Sequence, residues 1–132
     1  MDPAALTAAV NSALPIGDTL AAPVPDLILG YFEGTENFES FAILQNSAGA
    51  NIDEYGIIKA ASDETVADVE ASVNNYIKSR LDMWMPEYMP EEKPKLENAT
   101  VKVFGRFVVY SFLSEENTAI LMNTVEESLT VK

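Results

Sequence analysis

Neither histidine nor cysteine occurs anywhere in this sequence of 132 residues. Histidine is the usual general base near neutral pH and the commonest metal ligand, and cysteine supplies thiolate nucleophiles, soft metal sites and disulfides. Their absence excludes Ser–His–Asp and Cys–His catalytic sites, ordinary zinc sites and disulfide bonds. The sequence also lacks a phosphate-binding loop and a G-x-G-x-x-G motif, so it contains no familiar nucleotide-binding signature.

Positive charge is scarce as well. Eight lysines and arginines stand against 21 aspartates and glutamates, which gives a net charge of −13 at pH 7. Such a surface repels phosphate backbones and anionic lipids on average, so we expect no nucleic-acid partner. An unidentified protein or peptide, and in particular a basic one, is the more compatible partner. The sequence does not indicate an oligomeric state.

Long hydrophobic runs are missing too. No stretch approaches the ~18 apolar residues of a membrane-spanning helix, so we expect no direct membrane insertion in this segment. The first residues also lack the basic region and apolar stretch of a secretion signal. If Met1 is the true start, the sequence predicts a cytoplasmic protein; if a leader precedes Met1, another compartment stays open.

What the chain does contain is enough apolar sequence, 48% of its residues, for one core. We expect a single domain over 1–132, with an N-terminal helix and connector over 1–26 and an α+β core over 27–132. Hydrophobic periodicity and capping residues predict the elements. The predicted helices cover 2–14, 62–84 and the residues after Ser114, and the predicted strands cover 38–45, 52–61, 100–104 and 107–113.

This order predicts an α+β fold with an antiparallel four-stranded sheet made of two hairpins. The long helix lies between the hairpins, it and the C-terminal helix pack on one face of the sheet, and an N-terminal helix is added. Alternation along the second strand predicts that Gly56, Ile58 and Ala60 face a helix. Residues 15–26 are predicted to be a connector without regular structure, because prolines and a glycine punctuate them.

Several short pieces resemble a family of uncharacterised domains that is known only as a domain of unknown function. They are Ile52–Ala60 (IDEYGIIKA), the capped helix that follows, Tyr88 and Pro90, Glu97–Ala99, and the Gly105–Val109 hairpin. Members occur mostly in anaerobic, clostridial-type Gram-positive bacteria as surface lipoproteins. The resemblance therefore implies an extracellular domain, lipid-anchored to the cell membrane through an upstream cysteine that is absent from this sequence. It implies no catalytic residues.

A dense apolar and aromatic segment follows the long helix and is the sharpest binding hypothesis in the sequence. It contains Met83, Trp84, Met85, Tyr88 and Met89. Methionine adapts to irregular partners, and tryptophan and tyrosine are enriched at interfaces. The segment either folds back as a lid on the core or forms an exposed patch for a peptide or apolar ligand.

The neighbouring acids Asp53 and Glu54 are the second candidate. Adjacent strand residues point to opposite faces of a sheet, so these two carboxylates are not expected to share one ligand. They are interpreted as strand-edge charges, with a binding role as the alternative. Their expected partners are Lys59, Lys102 or Arg106.

Carboxylate chemistry stays open as a catalytic class, because two facing acids can hydrolyse glycosides, and Ser–Lys chemistry has one local pairing, Lys59 near Ser62, that nothing marks out. Nothing in the spacing marks out such a pair of acids. The acids between residues 87 and 97 also lack the spacing of a calcium loop. We therefore predict no catalytic residues, no metal and no cofactor, and expect a non-catalytic extracellular binding domain of a surface lipoprotein. The alternatives are a carboxylate-dependent hydrolase and a cytosolic acidic adaptor for a basic partner.

Overall fold

A computed structural model describes residues 2–22, 30, 32–46, 51–84 and 90–130 of the chain. Its helices and strands follow one another in an order close to the predicted one. They are α1 (Pro3–Ala13), β1 (Leu20–Ala21), β2 (Phe38–Asn46), β3 (Glu54–Ala60), α2 (Val66–Asp82), α3 (Lys93–Glu97), β4 (Thr100–Phe104), β5 (Phe107–Ser111) and α4 (Glu115–Thr130).

The strands form one antiparallel sheet in the order β1-β2-β3-β5-β4. The α+β class and the antiparallel sheet are confirmed, but the prediction of four strands is wrong because the described residues already form a sheet of five. The additional strand, β1, lies inside the predicted connector, where Leu20 pairs with Asn46 and Ala21 with Gln45. Two residues are too few to produce a detectable alternation, so backbone pairing decides this element.

Helices cover both faces of the sheet, which corrects the prediction that they share one face. One hydrophobic core joins α1 and α4 to the sheet. A second core joins α2 to the opposite side. Tyr55 and Ile57 of β3 lie in the first core and Ile58 and Ala60 in the second. We call these two sides the α1/α4 face and the α2 face. A strand whose odd-numbered and even-numbered residues are both apolar is buried on both faces of the sheet.

The predicted helix starts are confirmed by their caps. Asp2 accepts a hydrogen bond from the Ala5 N–H at 2.8 Å, and Ser114 accepts one from the Asn117 N–H at 3.2 Å. The Ser62 N–H donates to Thr65 Oγ1 at 3.0 Å, and a 3₁₀ turn over Asp63–Thr65 leads into α2. These side chains satisfy polar groups that the first turn of a helix leaves without partners.

The second predicted hairpin is also confirmed. Phe104 pairs with Phe107, so two residues connect β4 to β5. Gly105 adopts φ 62°, the left-handed conformation that glycine reaches at little cost at the first position of such a turn. Arg106 then donates to the carbonyl oxygens of Ala60 and Ala61, at 2.7 Å each, and ties this turn to the end of β3.

Candidate functional site

Gly56 on β3 makes room for a buried tyrosine on the α2 face. It is paired with Tyr110 of β5, and a Cβ at Gly56 would overlap the Tyr110 ring. The ring therefore lies across the glycine rather than beside a side chain. The sequence predicted that a helix occupies this space, but an aromatic side chain from the neighbouring strand occupies it instead.

Glu54, the first residue of β3, lies at the centre of a buried polar network. Its side chain is only 2% exposed. Oε2 accepts hydrogen bonds from the hydroxyls of Tyr76 at 2.8 Å and Tyr110 at 2.5 Å. Oε1 accepts from Arg80 Nη1 at 2.9 Å and from Gln45 Nε2 at 2.9 Å. Four donors from β2, α2 and β5 thus converge on one carboxylate. We call these residues the Glu54 network.

The network changes the acidity of its tyrosines. Burial raises the pKa of Tyr76 and Tyr110 well above the ordinary value, and the negative charge of Glu54 raises both further. Both hydroxyls therefore stay protonated and donate to Glu54. For Arg80, burial lowers the pKa, but Tyr76 and Glu54 outweigh it, so the pKa is raised and the guanidinium stays charged.

Arg80 connects the network to the surface. Its guanidinium carbon lies 5.2 Å from the centre of the Phe112 ring and 5.9 Å from that of Tyr76. Its side chain is 27% exposed, so it joins the buried carboxylate to solvent. Trp84 follows Arg80 by four residues, just beyond the last turn of α2, and packs half-buried against the α2 face.

Asp53 belongs to a second ionic cluster beside the first. Lys95 Nζ lies 2.7 Å from Asp53 Oδ1 and 2.8 Å from Glu92 Oε1. The same Glu92 oxygen accepts the Ile52 N–H at 3.2 Å. Burial lowers the pKa of Lys95, but the hydrogen bonds with Asp53 and Glu92 outweigh this, so the pKa is raised. This cluster ties the segment before α3 to the start of β3.

The predicted partners of Asp53 and Glu54 were wrong, because their ion pairs are with Lys95 and Arg80. Lys59 and Arg106 instead pair with Glu39, at 3.0 Å each. The hydrogen bond with Lys59 is the main cause of the lowered pKa of Glu39. Lys102 lies over the Phe104 ring, with Nζ 5.2 Å from its centre.

Asp53 and Glu54 have separate hydrogen-bond partners in the structure. Neither lies on the open edge of a strand in water, because Asp53 is 8% and Glu54 1% exposed. Sequence reasoning missed Arg80, Tyr76 and Tyr110 as partners. The available signal was helical spacing, because Arg80 follows Tyr76 by four residues on the buried side of α2.

The apolar segment after α2 is described only in part. Met83 is 80% exposed and Trp84 is half-buried. Met85, Tyr88 and Met89 lie outside the described residues. Residues on both sides of this stretch are tied to the start of β3: Arg80 contacts Glu54, and Lys95 contacts Asp53.

The chemistry available to Glu54 is limited by its hydrogen bonds. The four hydrogen bonds that Glu54 accepts already engage both of its carboxylate oxygens. Among the residues with described positions, no group of three or more acids could hold a metal ion.

Across all the residues that the structure describes, no helix is long and apolar enough to cross a membrane.

Residues 35–113 match the family model described as "Domain of unknown function (DUF4358)". The chain belongs to this family. No curated protein matches it, and no solved structure matches it either. The DUF4358 segment runs from the turn before β2 to just beyond β5, so it contains the whole Glu54 network and both partners of Lys95. It leaves out α1, β1 and α4, which lie on either side of it in the sequence.

Proposed function

We propose that this chain is a non-catalytic binding domain, displayed outside a Gram-positive cell as part of a lipid-anchored protein. Its contact surface is the end of the molecule where α2 finishes. One observation carries the placement: Met83 is 80% exposed, far more than Val103 at 37%, the other exposed large hydrophobic side chain among the described residues. Methionine and tryptophan are both enriched at protein interfaces.

The two ionic clusters support this surface from beneath. Glu54 holds the last turns of α2 through Arg80 and Tyr76, and Asp53 holds α3 through Lys95. Binding residues are commonly carried by loops on a rigid scaffold, because ordering the contact surface in advance lowers the entropic cost of association. In this proposal Asp53 and Glu54 position the surface. Trp84, together with Met85, Tyr88 and Met89, makes the contacts.

The distribution of charge favours a basic partner. Lys59, Arg80, Lys95 and Arg106 are held in ion pairs. The sequence of α4 contains glutamates and no lysine or arginine. A net charge of −13 therefore leaves a surface dominated by carboxylates, which attracts a cationic protein or peptide and speeds its association.

Site-specific crosslinking in intact cells tests the contact surface. A photoreactive benzophenone side chain replaces Met83 in one variant and Ala8, exposed on α1, in the matched control. We expect the Met83 variant to yield one discrete crosslinked partner that the Ala8 variant does not yield. Adding Trp84→Ala should reduce this product at least several-fold, while circular dichroism confirms that the variant is folded. Identical products from both positions, or a yield that ignores Trp84→Ala, would contradict the proposal.

The location needs a separate measurement. We expect the reading frame upstream of Met1 to encode a signal with a lipid-accepting cysteine, and protease added to intact cells to remove the domain. A true start at Met1 together with protection from the protease would overturn the extracellular part. The same contact surface would then belong to a cytosolic acidic adaptor.

A further inference from the structure

The outer edge of β4 presents backbone groups that no strand of the described residues uses. The Ala60 N–H donates to the Arg106 carbonyl, and the Phe112 N–H donates to the Glu54 carbonyl. In the register of β3 and β5, the even-numbered residues of β5 therefore direct their backbone N–H and C=O groups towards β3. The odd-numbered residues of β5 direct their backbone N–H and C=O groups towards β4, because these groups alternate in direction along a strand. Thr100, Lys102 and Phe104, which are opposite those residues, bond to β5. Val101 and Val103 direct their N–H and C=O groups away from the sheet.

This edge lacks several features by which proteins block unwanted strand pairing. β4 has five residues with no register shift and no proline, whereas β1 at the opposite edge has only two residues. Val103 is exposed on the α2 side of the strand, and Lys102 is exposed on the other side. The strand therefore offers two outward donors, two outward acceptors and an apolar contact.

Antiparallel pairing of β4 with β4 of a second copy is unfavourable in the register that uses all the outward N–H and C=O groups of Val101 and Val103. That register places Val101 opposite Val103 of the second copy, and Lys102 opposite its own equivalent. Side chains at such a non-hydrogen-bonded pair lie close together, and like charges there are destabilising. Each copy would also bring a net charge of −13.

We propose that the β4 edge binds an extended segment of a different protein, which adds a strand to the sheet and places an acidic residue opposite Lys102. The main-chain groups of Val101 and Val103 supply the binding, since strand addition uses backbone hydrogen bonds. Lys102 supplies the selectivity, because its ammonium contacts a ring rather than a carboxylate among the described residues. Apolar residues on either side of the acid would cover Val103. This inference does not depend on the function proposed above.

Peptide titration followed by amide chemical shifts tests the proposal on the whole chain. The probe is acetyl-Ser-Thr-Val-Glu-Val-Thr-Ser-amide, and the matched probe has lysine in place of glutamate. We expect the glutamate peptide to shift the amides of Val101 and Val103 and to bind roughly tenfold more tightly than the lysine peptide, because an opposite charge directly across from Lys102 stabilises strand pairing and a like charge destabilises it. Equal affinities, or shifts centred on another part of the molecule, would overturn the proposal.

A pair of variants separates the edge from the fold. Val103→Pro removes the outward N–H, which β5 does not use, so the hairpin should persist while peptide binding is lost. Val103→Thr keeps the N–H and should retain binding within about threefold. If Val103→Pro unfolds the chain, Lys102→Glu replaces it and should reverse the preference between the two peptides. Sedimentation showing that the wild-type chain dimerises through β4 would favour the second copy and contradict the heterologous partner.

Discussion

The two faces of the sheet are stabilised in different ways. The α1/α4 face is closed mainly by apolar side chains, and its polar contacts include the hydrogen bond from the Tyr55 hydroxyl to Asn11 Oδ1 at 2.7 Å. The α2 face encloses a carboxylate that is ion-paired with Arg80 and whose hydrogen-bond partners come from three different elements. One face therefore depends on packing and a neutral hydrogen bond, and the other on packing around a charge.

The contrast indicates which face depends on unique geometry. Apolar packing tolerates small shifts, whereas a buried charge must keep all of its donors in place because an uncompensated charge is costly in the interior. Whether the network contributes net stability is a separate question, since burying ions also costs desolvation energy. The α2 face is thus the less tolerant side, and it supports the proposed contact surface.

Alkaline pH should produce the largest effect. An unfolded phenol ionises near pH 10, whereas Tyr55, Tyr76 and Tyr110 have raised pKa values in the folded chain. Above pH 10 the unfolded state releases these protons first, so stability that is fully present below pH 10 is lost as pH rises. Each phenol should remove about 1.4 kcal/mol of unfolding free energy per pH unit. Urea titrations at successive pH values measure this slope.

Phenylalanine variants assign the slope to the two faces. Tyr76→Phe with Tyr110→Phe should remove roughly twice as much of the alkaline slope as Tyr55→Phe, because two of the three phenols lie on the α2 face. If Tyr55→Phe alone removed most of the slope, the α2 face would not be the side that is sensitive to charge.

Glu54→Ala should be the most damaging single substitution on the α2 face. It leaves Arg80 and two tyrosine hydroxyls without their acceptor in a buried site, at a cost of about 3–5 kcal/mol. Chemical denaturation gives the value. Glu39→Ala, which removes an exposed ion pair with Lys59, is the matched control and should change stability far less. Equal effects would show that burial does not set the importance of the carboxylate.

Gly56→Ala tests whether Tyr110 needs the open space above β3. The new methyl group would overlap the ring, and overpacking of this kind costs about 1–3 kcal/mol. Combining Gly56→Ala with Tyr110→Leu should cost clearly less than the sum of the two single variants, because the ring that causes the clash is gone. Strict additivity in this double-mutant cycle would contradict the packing of the ring across Gly56.

Removing single hydroxyls compares the faces most gently. Tyr110→Phe deletes a hydrogen bond to a carboxylate, and such bonds contribute about 1.5–3 kcal/mol. Tyr55→Phe deletes a neutral bond to Asn11, and such bonds contribute about 0.5–1.5 kcal/mol. We expect a difference of roughly 1 kcal/mol between the two variants at pH 7, measured by urea unfolding. The reverse order would mean that the charge adds nothing to the hydrogen bond.

Local patterns predicted much of the fold. The caps at Asp2 and Ser114 and the two-residue turn at Gly105 depend on neighbouring residues, so sequence reasoning located them. It missed β1, whose pairing depends on backbone groups of β2 far along the chain. It also placed the helices on one face of the sheet. The alternation of side chains along β3 shows which residues share a face, but it does not specify which helix covers that face.

The candidate site was harder to predict, because its contacts join distant parts of the chain. Glu54 was recognised as a candidate, but its partners Gln45, Arg80 and Tyr110 come from three different elements. Charge pairing alone favoured Lys59 or Arg106, which are directed to Glu39 instead. Which cation reaches which acid depends on the arrangement of α2 and α3, and that arrangement is set by packing.

The extent of the DUF4358 match has a consequence for how the domain is divided and expressed. Residues 35–113 retain β2 to β5 and α2 but omit α1 and α4. A fragment cut at these limits would leave Tyr55, Ile57 and Val109 bare in water, because the omitted helices supply the other side of that core. The segment that matches the family model is therefore shorter than the cooperative folding unit, and a fragment that ends there should aggregate even though its charged network is complete.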